Sequence, residues 1–129
     1  MNPVVHFEMP YENSERVSNF YSKVFGWQMV PTGPEMGYYL LAGTTETDEN
    51  RMVKTPGTIN GGFFKKAPEF PAIPSVVINV DDINAAVKMV NESGGKVVRD
   101  IMEIPGIGHY AAFLDTEGNS VGVMQPLAR

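Results

Sequence analysis

One order of elements occurs twice along the 129 residues of this chain, and this repeat constrains the fold more than any other feature. Each half shows the pattern of a short apolar strand, a helix with one apolar stripe, and three further strands. We assign residues 1–65 to module one and residues 74–126 to module two, with a proline-containing linker over residues 66–72. The repeat predicts a single α+β domain of two βαβββ modules, in which each half-sheet needs the other module to close a core.

Short polar residues and glycines mark the ends of both predicted helices. Asn13 or Ser14 can cap the first helix, and Asp81 or Asp82 can cap the second, because their side chains accept hydrogen bonds from free backbone N–H groups. Glycines at 26 and at 94–95 end the two helices. The predicted strands cover residues 4–9, 27–30, 38–42, 58–64, 75–80, 96–98, 110–114 and 120–124.

Charge and composition exclude several classes of function. The formal net charge is -5, and an acidic chain repels phosphate backbones and anionic membrane surfaces. The chain has no cysteine, which excludes disulfides, thiolate nucleophiles and cysteine-based zinc sites. No apolar run approaches the roughly 20 residues that a membrane span needs, and the N-terminus has no secretory pattern. We therefore expect a cytoplasmic protein without nucleic-acid or membrane partners.

Three segments of the chain resemble the vicinal-oxygen-chelate superfamily, which includes glyoxalase I, bleomycin resistance proteins and extradiol dioxygenases. They are HFEMPYENSERVSNFYSKVFGW near the N-terminus, VINVDDINAAVKMVNESGGKVV at the start of the second repeat, and FLDTEGNSVGVMQP near the C-terminus, where Thr116 replaces the usual proline. The resemblance covers roughly residues 4–126. It implies that the two modules pair about a pseudo-twofold axis, with a curved sheet forming one ligand cavity. It also implies metal ligands on the first and last strand of each module.

Most of the implied metal ligands are missing. His6 matches the ligand on the first strand of module one, but the three other positions hold Ser75, Gly62 and Gly122. A catalytic divalent metal usually needs three protein ligands, and one imidazole does not hold such an ion tightly. Glu8 shares the strand face of His6 and can add one carboxylate, but two ligands from one strand still make a weak site. We predict that the protein has no metal and no other cofactor.

The same alignment predicts a site for a small organic ligand. Glycines inside strands often mark the close approach of a ligand, and without carboxylates at 62 and 122 we expect the cavity to gain room. Residues two positions away on the same strands share the cavity face. The predicted ligand-binding residues are His6, Asn60, Gly62, Phe64, Ser75, Ser120, Gly122 and Met124.

The two histidines each leave two interpretations open. His6 is either the catalytic residue, moving a proton near neutral pH, or a cavity-wall side chain that makes hydrogen bonds. His109 is either an exposed residue at a strand start, or a general base or substrate contact.

The resemblance leaves the reaction open. The leading hypothesis is a metal-independent, glyoxalase-like protein that binds a small molecule or acts on it. One alternative is a metal-dependent lyase or isomerase of the lactoylglutathione lyase type, and another is a protein that sequesters a drug or antibiotic. We also expect a homodimer, because closed twofold dimers are the commonest assembly.

Overall fold

The structure is a computed structural model that describes residues 1–127, and it confirms the α+β class with the βαβββ order in both halves. The first half consists of β1 (Val4–Tyr11), α1 (Ser14–Phe25), β2 (Gln28–Pro31), β3 (Leu40–Gly43) and β4 (Asn60–Lys65), with a short 3-10 helix at Pro34–Met36. The second half consists of β5 (Ser75–Asn79), α2 (Ile83–Glu92), β6 (Lys96–Ile104), β7 (Gly108–Leu114) and β8 (Ser120–Pro126).

The chain divides into two compact units. One unit is His6–Pro74, and the other combines Met1–Val5 with the chain from Ser75 onward. The first five residues therefore group with the second half, where the backbone N–H of Asn79 donates to the carbonyl of Pro3.

The sheet of the unit formed by His6–Pro74 has the strand order β2-β3-β4-β1. β1 and β4 are parallel, whereas β3 runs antiparallel to β2 and to β4. One face of this sheet packs on α1, because alternate strand residues join the helix stripe in a core of Tyr11, Leu40, Ala42 and Phe63, flanked by Phe7, Met9, Val17, Tyr21, Trp27 and Met29. The opposite face of the sheet carries His6, Glu8 and Asn60 together with apolar side chains such as Leu41 and Phe64.

The unit that contains the chain from Ser75 onward repeats this plan, with the strand order β5-β8-β7-β6. β5 and β8 are parallel, and β7 runs antiparallel to β8 and β6. Its core consists of Val80, Ile83, Ala111 and Val123, flanked by Ile78, Ala86, Val87, Ile101 and Phe113. The same alternation therefore directs one face of this sheet to α2.

Both helix starts are where the sequence places them. Asn13 caps α1 and accepts a hydrogen bond from the backbone N–H of Arg16, at 2.9 Å. Gly26 ends this helix in the left-handed conformation, with a φ of 72°. Asp82 caps α2 through the backbone N–H of Ala85, at 3.1 Å. Within the described residues, neither helix is long and apolar enough to cross a membrane.

Candidate functional site

The face of the first sheet that points away from α1 carries a buried carboxylate beside a histidine. His6 and Glu8 are two residues apart on β1, so their side chains lie on the same face. Opposite them on the parallel strand β4 lie Asn60, in register with His6, and Gly62, in register with Glu8. The register thus brings together four positions that the sequence singled out.

Glu8 is a buried carboxylate, exposed by 8%. Burying a charge costs free energy unless the charge is hydrogen-bonded. The hydroxyl of Tyr39 meets this need, because it donates to Oε2 of Glu8 at 3.0 Å.

His6 makes its hydrogen bond to the same tyrosine. Its Nε2 lies 2.9 Å from the hydroxyl oxygen of Tyr39, which joins Glu8, Tyr39 and His6 in one chain of hydrogen bonds. Burial lowers the pKa of His6 from its usual value, and the negative charge of Glu8 opposes this effect without overcoming it. The neutral imidazole is therefore favoured over the imidazolium.

Tyr39 links His6 and Glu8, and the sequence prediction did not include it among the site residues. It lies just before β3, beside the turn formed by the 3-10 helix, and its backbone carbonyl accepts a hydrogen bond from the hydroxyl of Thr32. Its ring crosses to β4 and lies against Gly62, where a Cβ would overlap the ring carbons Cε1 and Cζ and the hydroxyl oxygen. The pairing of Leu41 with Gly62 explains this contact, because it places residue 39 diagonally beside the glycine.

A second tyrosine and glycine repeat this arrangement in the other unit. Ala112 pairs with Gly122 as Leu41 pairs with Gly62, so Tyr110 stands where Tyr39 stands in the repeat. A Cβ on Gly122 would lie 2.9 Å from ring atoms of Tyr110. The expectation that these glycines leave open room is therefore wrong, because an aromatic ring fills the space above each of them.

The other predicted positions of module two lack the ionisable groups of module one. Val77 pairs with Gly122 as Glu8 pairs with Gly62, and Ser75 takes the place of His6. Ser120 and Met124 flank Gly122 on β8, where Met124 pairs with Asn79. Of these equivalent positions, only those of module one thus carry a histidine and a carboxylate.

Asn60 anchors a loop through its side-chain oxygen, and its side-chain nitrogen is not used in this contact. Its Oδ1 accepts the backbone N–H groups of Thr44 and Thr45, at 2.8 and 3.0 Å, and so anchors the loop after β3. Among the described residues its Nδ2 has no hydrogen-bond partner, and no unpartnered side-chain nitrogen or oxygen there is buried. The amide nitrogen can therefore donate to a ligand. Phe64, two residues after Gly62 on β4, is half-buried in register with Pro10.

His109 lies apart from the site residues of its own sheet. It is half-buried on β7 and pairs with Gln125, one residue before Tyr110. Because strand side chains alternate, His109 lies on the opposite face from Tyr110 and Gly122.

The side chains present do not fit a three-ligand metal centre. Within residues 1–127, no three or more His, Cys, Asp or Glu side chains are placed to hold one metal ion. His6 and Glu8 are two possible donors on one strand face, and Glu8 already accepts a hydrogen bond from Tyr39. At positions 62 and 122, a ligand side chain would first have to displace an aromatic ring.

Comparisons with known proteins agree on one family. The model of the Glyoxalase/Bleomycin resistance protein/Dioxygenase superfamily matches residues 4–123. A glyoxylase-like domain-containing protein of Didymella fabae is 32% identical over 117 residues, which are 88% of this chain and 85% of that protein.

Solved structures share the fold at much lower identity. The methylmalonyl-CoA epimerase of Mycobacterium tuberculosis has a TM-score of 0.67 at 12% identity, over 97% of this chain and 88% of the epimerase. A variant of the Streptomyces coelicolor methylmalonyl-CoA epimerase, in complex with 2-nitronate-propionyl-CoA, has a TM-score of 0.70 at 12% identity, over 99% and 96% of the two chains. At this level of identity the likeness shows the fold alone.

Proposed function

Because the chain belongs to the Glyoxalase/Bleomycin resistance protein/Dioxygenase superfamily, we propose that it is a glyoxalase-like protein that binds a small organic molecule without a metal ion. The ligand lies on the face of module one that points away from α1, and it contacts His6 and the side-chain nitrogen of Asn60. The solved complex with a propionyl-CoA derivative supports a small-molecule ligand, since it shows a protein of this fold holding one.

The hydrogen-bonded chain of Glu8, Tyr39 and His6 is the observation that carries this proposal. It places polar groups on a sheet face that α1 leaves uncovered, and it commits Glu8 to a tyrosine hydroxyl. A few polar groups on a largely apolar wall suit a small organic ligand. Contacts from Phe64, Ser75, Ser120 and Met124 stay predictions from the sequence, whereas Gly62 and Gly122 lie under tyrosine rings.

The proposal extends to the setting of the protein. We propose that it is cytoplasmic and forms a homodimer, and that its partners include neither nucleic acid nor a membrane. The acidic net charge supports the exclusion of polyanionic partners.

Two measurements on purified protein test metal independence and ligand binding. Elemental analysis after extensive dialysis is expected to find well below one divalent metal ion per chain, with little lactoylglutathione-forming activity. A fragment screen by ligand-observed NMR is expected to give compounds that bind the wild type and lose binding in His6→Ala. The matched control is His109→Ala, which removes the other histidine from the opposite face of its own sheet and is expected to leave binding unchanged. About one metal ion per chain that is lost in His6→Ala would contradict the proposal.

A further inference from the structure

We propose that Glu8 and Tyr39 are positioning residues that fix His6 in one neutral tautomer, with the proton on Nε2 and the lone pair on Nδ1. His6 then accepts a hydrogen bond, and in a reaction a proton, from a weakly acidic hydroxyl group of the ligand. The choice of ligand rests on the function proposed above, whereas the tautomer does not.

The direction of each hydrogen bond follows from the number of protons available. An ionised carboxylate only accepts, and a tyrosine hydroxyl has a single proton to donate. Tyr39 gives that proton to Oε2 of Glu8, at 3.0 Å. Its oxygen, 2.9 Å from Nε2 of His6, is then left to accept, so Nε2 must carry the imidazole proton.

The second ring nitrogen of His6 is the one that a ligand can reach. Among residues 1–127, Nδ1 makes no hydrogen bond, and no unpartnered side-chain nitrogen in that part of the chain is buried. A neutral imidazole with its proton on Nε2 presents a lone pair at Nδ1. A hydroxyl group facing this atom finds an acceptor, with the Asn60 amide on the neighbouring strand as a donor to a second oxygen of the ligand.

The hydrogen bonds that join Glu8, Tyr39 and His6 also stabilise the positive charge that a proton transfer creates on the imidazole. When the ligand loses its proton, its O–H bond breaks, the electron pair stays on the ligand oxygen, and an N–H bond forms at Nδ1. The resulting imidazolium keeps its Nε2–H bond to Tyr39, behind which stands the carboxylate of Glu8. The negative charge of Glu8 faces His6 across this hydrogen-bonded hydroxyl and stabilises the imidazolium.

The tautomer can be measured on the intact protein without any ligand. Long-range ¹H–¹⁵N correlation spectra of ¹⁵N-histidine-labelled protein at neutral pH are expected to show His6 as the Nε2–H tautomer. Tyr39→Phe removes only the hydroxyl, and His6 is then expected to populate both tautomers. Tyr38→Phe is the matched control, because it removes a neighbouring exposed hydroxyl and is expected to leave the His6 spectrum unchanged. An Nδ1–H tautomer, or a His6 spectrum that is the same in Tyr39→Phe as in the wild type, would overturn the proposal.

A second arm tests the ligand class separately. Phenol and anisole have the same ring, but only phenol has a proton to donate. Phenol at millimolar concentration is expected to shift the Nδ1 resonance of His6, and anisole is not. Equal shifts from both compounds, or none from either, would overturn the ligand class. The tautomer of His6 is measured without ligand. A failure of ligand binding and a wrong tautomer assignment therefore give different results.

Discussion

At the residue scale, two adjacent glycines on β4 each support an aromatic ring. Gly61 lies under the ring of Phe7 on the face that packs on α1, and Gly62 lies under the ring of Tyr39 on the opposite face. A Cβ at either position would overlap ring carbons. The absence of a side chain at both positions therefore lets both rings approach the sheet closely. Two consecutive glycines are needed because the two rings lie on opposite faces of the strand.

We expect Gly61→Ala to lower the free energy of unfolding by about 1–3 kcal/mol, because a methyl group inserted into a packed core forces its neighbours to move. The neighbour here is Phe7, whose ring also packs on Trp27, 5.5 Å between ring centroids. Urea denaturation followed by Trp27 fluorescence measures the change.

The matched control for this substitution is Gly43→Ala. Gly43 is also a strand glycine, but a Cβ there would meet Gln28 at 3.5 Å, an ordinary contact. Its effect is expected to stay within about 0.5 kcal/mol, or to be stabilising, because alanine restricts the unfolded chain. Equal losses in the two variants would contradict the role given to Phe7.

The depressed pKa of His6 predicts a pH dependence of stability. Unfolding returns the pKa of His6 to its ordinary value, about 6.5. Near and below this pH, the unfolded chain therefore binds more protons than the folded chain. The free energy of unfolding is therefore expected to be highest above about pH 7. It falls as the pH drops through 6.5 toward the lower pKa of His6 in the folded state. Urea midpoints measured from pH 7.5 to about pH 5 should fall more steeply for the wild type than for His6→Gln. Parallel profiles would show that His6 does not titrate differently in the folded state.

The sequence identified some residues of the candidate site and missed the one that joins them. The resemblance to the superfamily selected His6 and Gly62, and strand alternation added Glu8, because these choices depend only on positions along β1 and β4. Tyr39 escaped because its contact is diagonal between β3 and β4, and its effect depends on a ring that leans across strands. The predicted start of β3 at residue 38 also left the phase of this tyrosine uncertain, whereas the strand begins at Leu40.

At the scale of the element, α1 depends on a single capping side chain. We expect Asn13→Ala to lower stability by about 1 kcal/mol, because the backbone N–H of Arg16 loses its acceptor. Ser14→Ala is the control, since Ser14 is the first residue of the helix and Asn13 supplies the cap. Thermal unfolding of both variants by circular dichroism measures the difference. A larger loss in Ser14→Ala would place the cap one residue later.

The strand pair β1 and β4 holds two of the three donors that a metal site needs. We expect Gly62→Glu combined with Tyr39→Ala to bind zinc, because the new carboxylate faces Glu8 in register and the tyrosine no longer occupies its place. Gly62→Glu alone is expected to bind little zinc. Isothermal titration with zinc chloride compares the two variants, with His6→Ala added to the double variant as control. Tight binding by Gly62→Glu alone would show that Tyr39 moves aside easily.

Element boundaries were predicted best where local signals are strong. Both helix caps are polar side chains next to an apolar stripe, and both were located within one residue. β6 extends to Ile104, whereas the sequence indicates only its opening, over residues 96–98. Its register shifts on both sides of Arg99, and such irregularities break the period-2 pattern from which a strand is recognised.

At the scale of the whole molecule, the assembly stays a prediction. We expect light scattering at micromolar concentration to give twice the 14.2 kDa mass of the chain, in line with the proposed homodimer. A mass of one chain across the concentration range would contradict it. The same measurement on His6→Ala is expected to be unchanged, because the site proposal does not depend on assembly.

The repeat made the architecture predictable, but it did not reveal that the two halves carry different side chains at equivalent positions. Two similar modules share their strand order and their tyrosine-on-glycine contact. One of them carries His6 and Glu8 where the other carries Ser75 and Val77. Fold depends on apolar periodicity, which the halves share, whereas chemistry depends on single residues, which have diverged.

The tyrosine over Gly62 also determines the order in which mutations can change this protein. A descendant that gained a carboxylate at position 62 while Tyr39 remained would pass through an intermediate with two side chains in one place. Loss of the Tyr39 ring first frees this space and removes the hydroxyl that bonds His6, so a path through that variant avoids the overlap. The two positions are therefore epistatic, and a lineage that keeps Tyr39 has a barrier against acquiring a metal ligand at residue 62 by a single substitution.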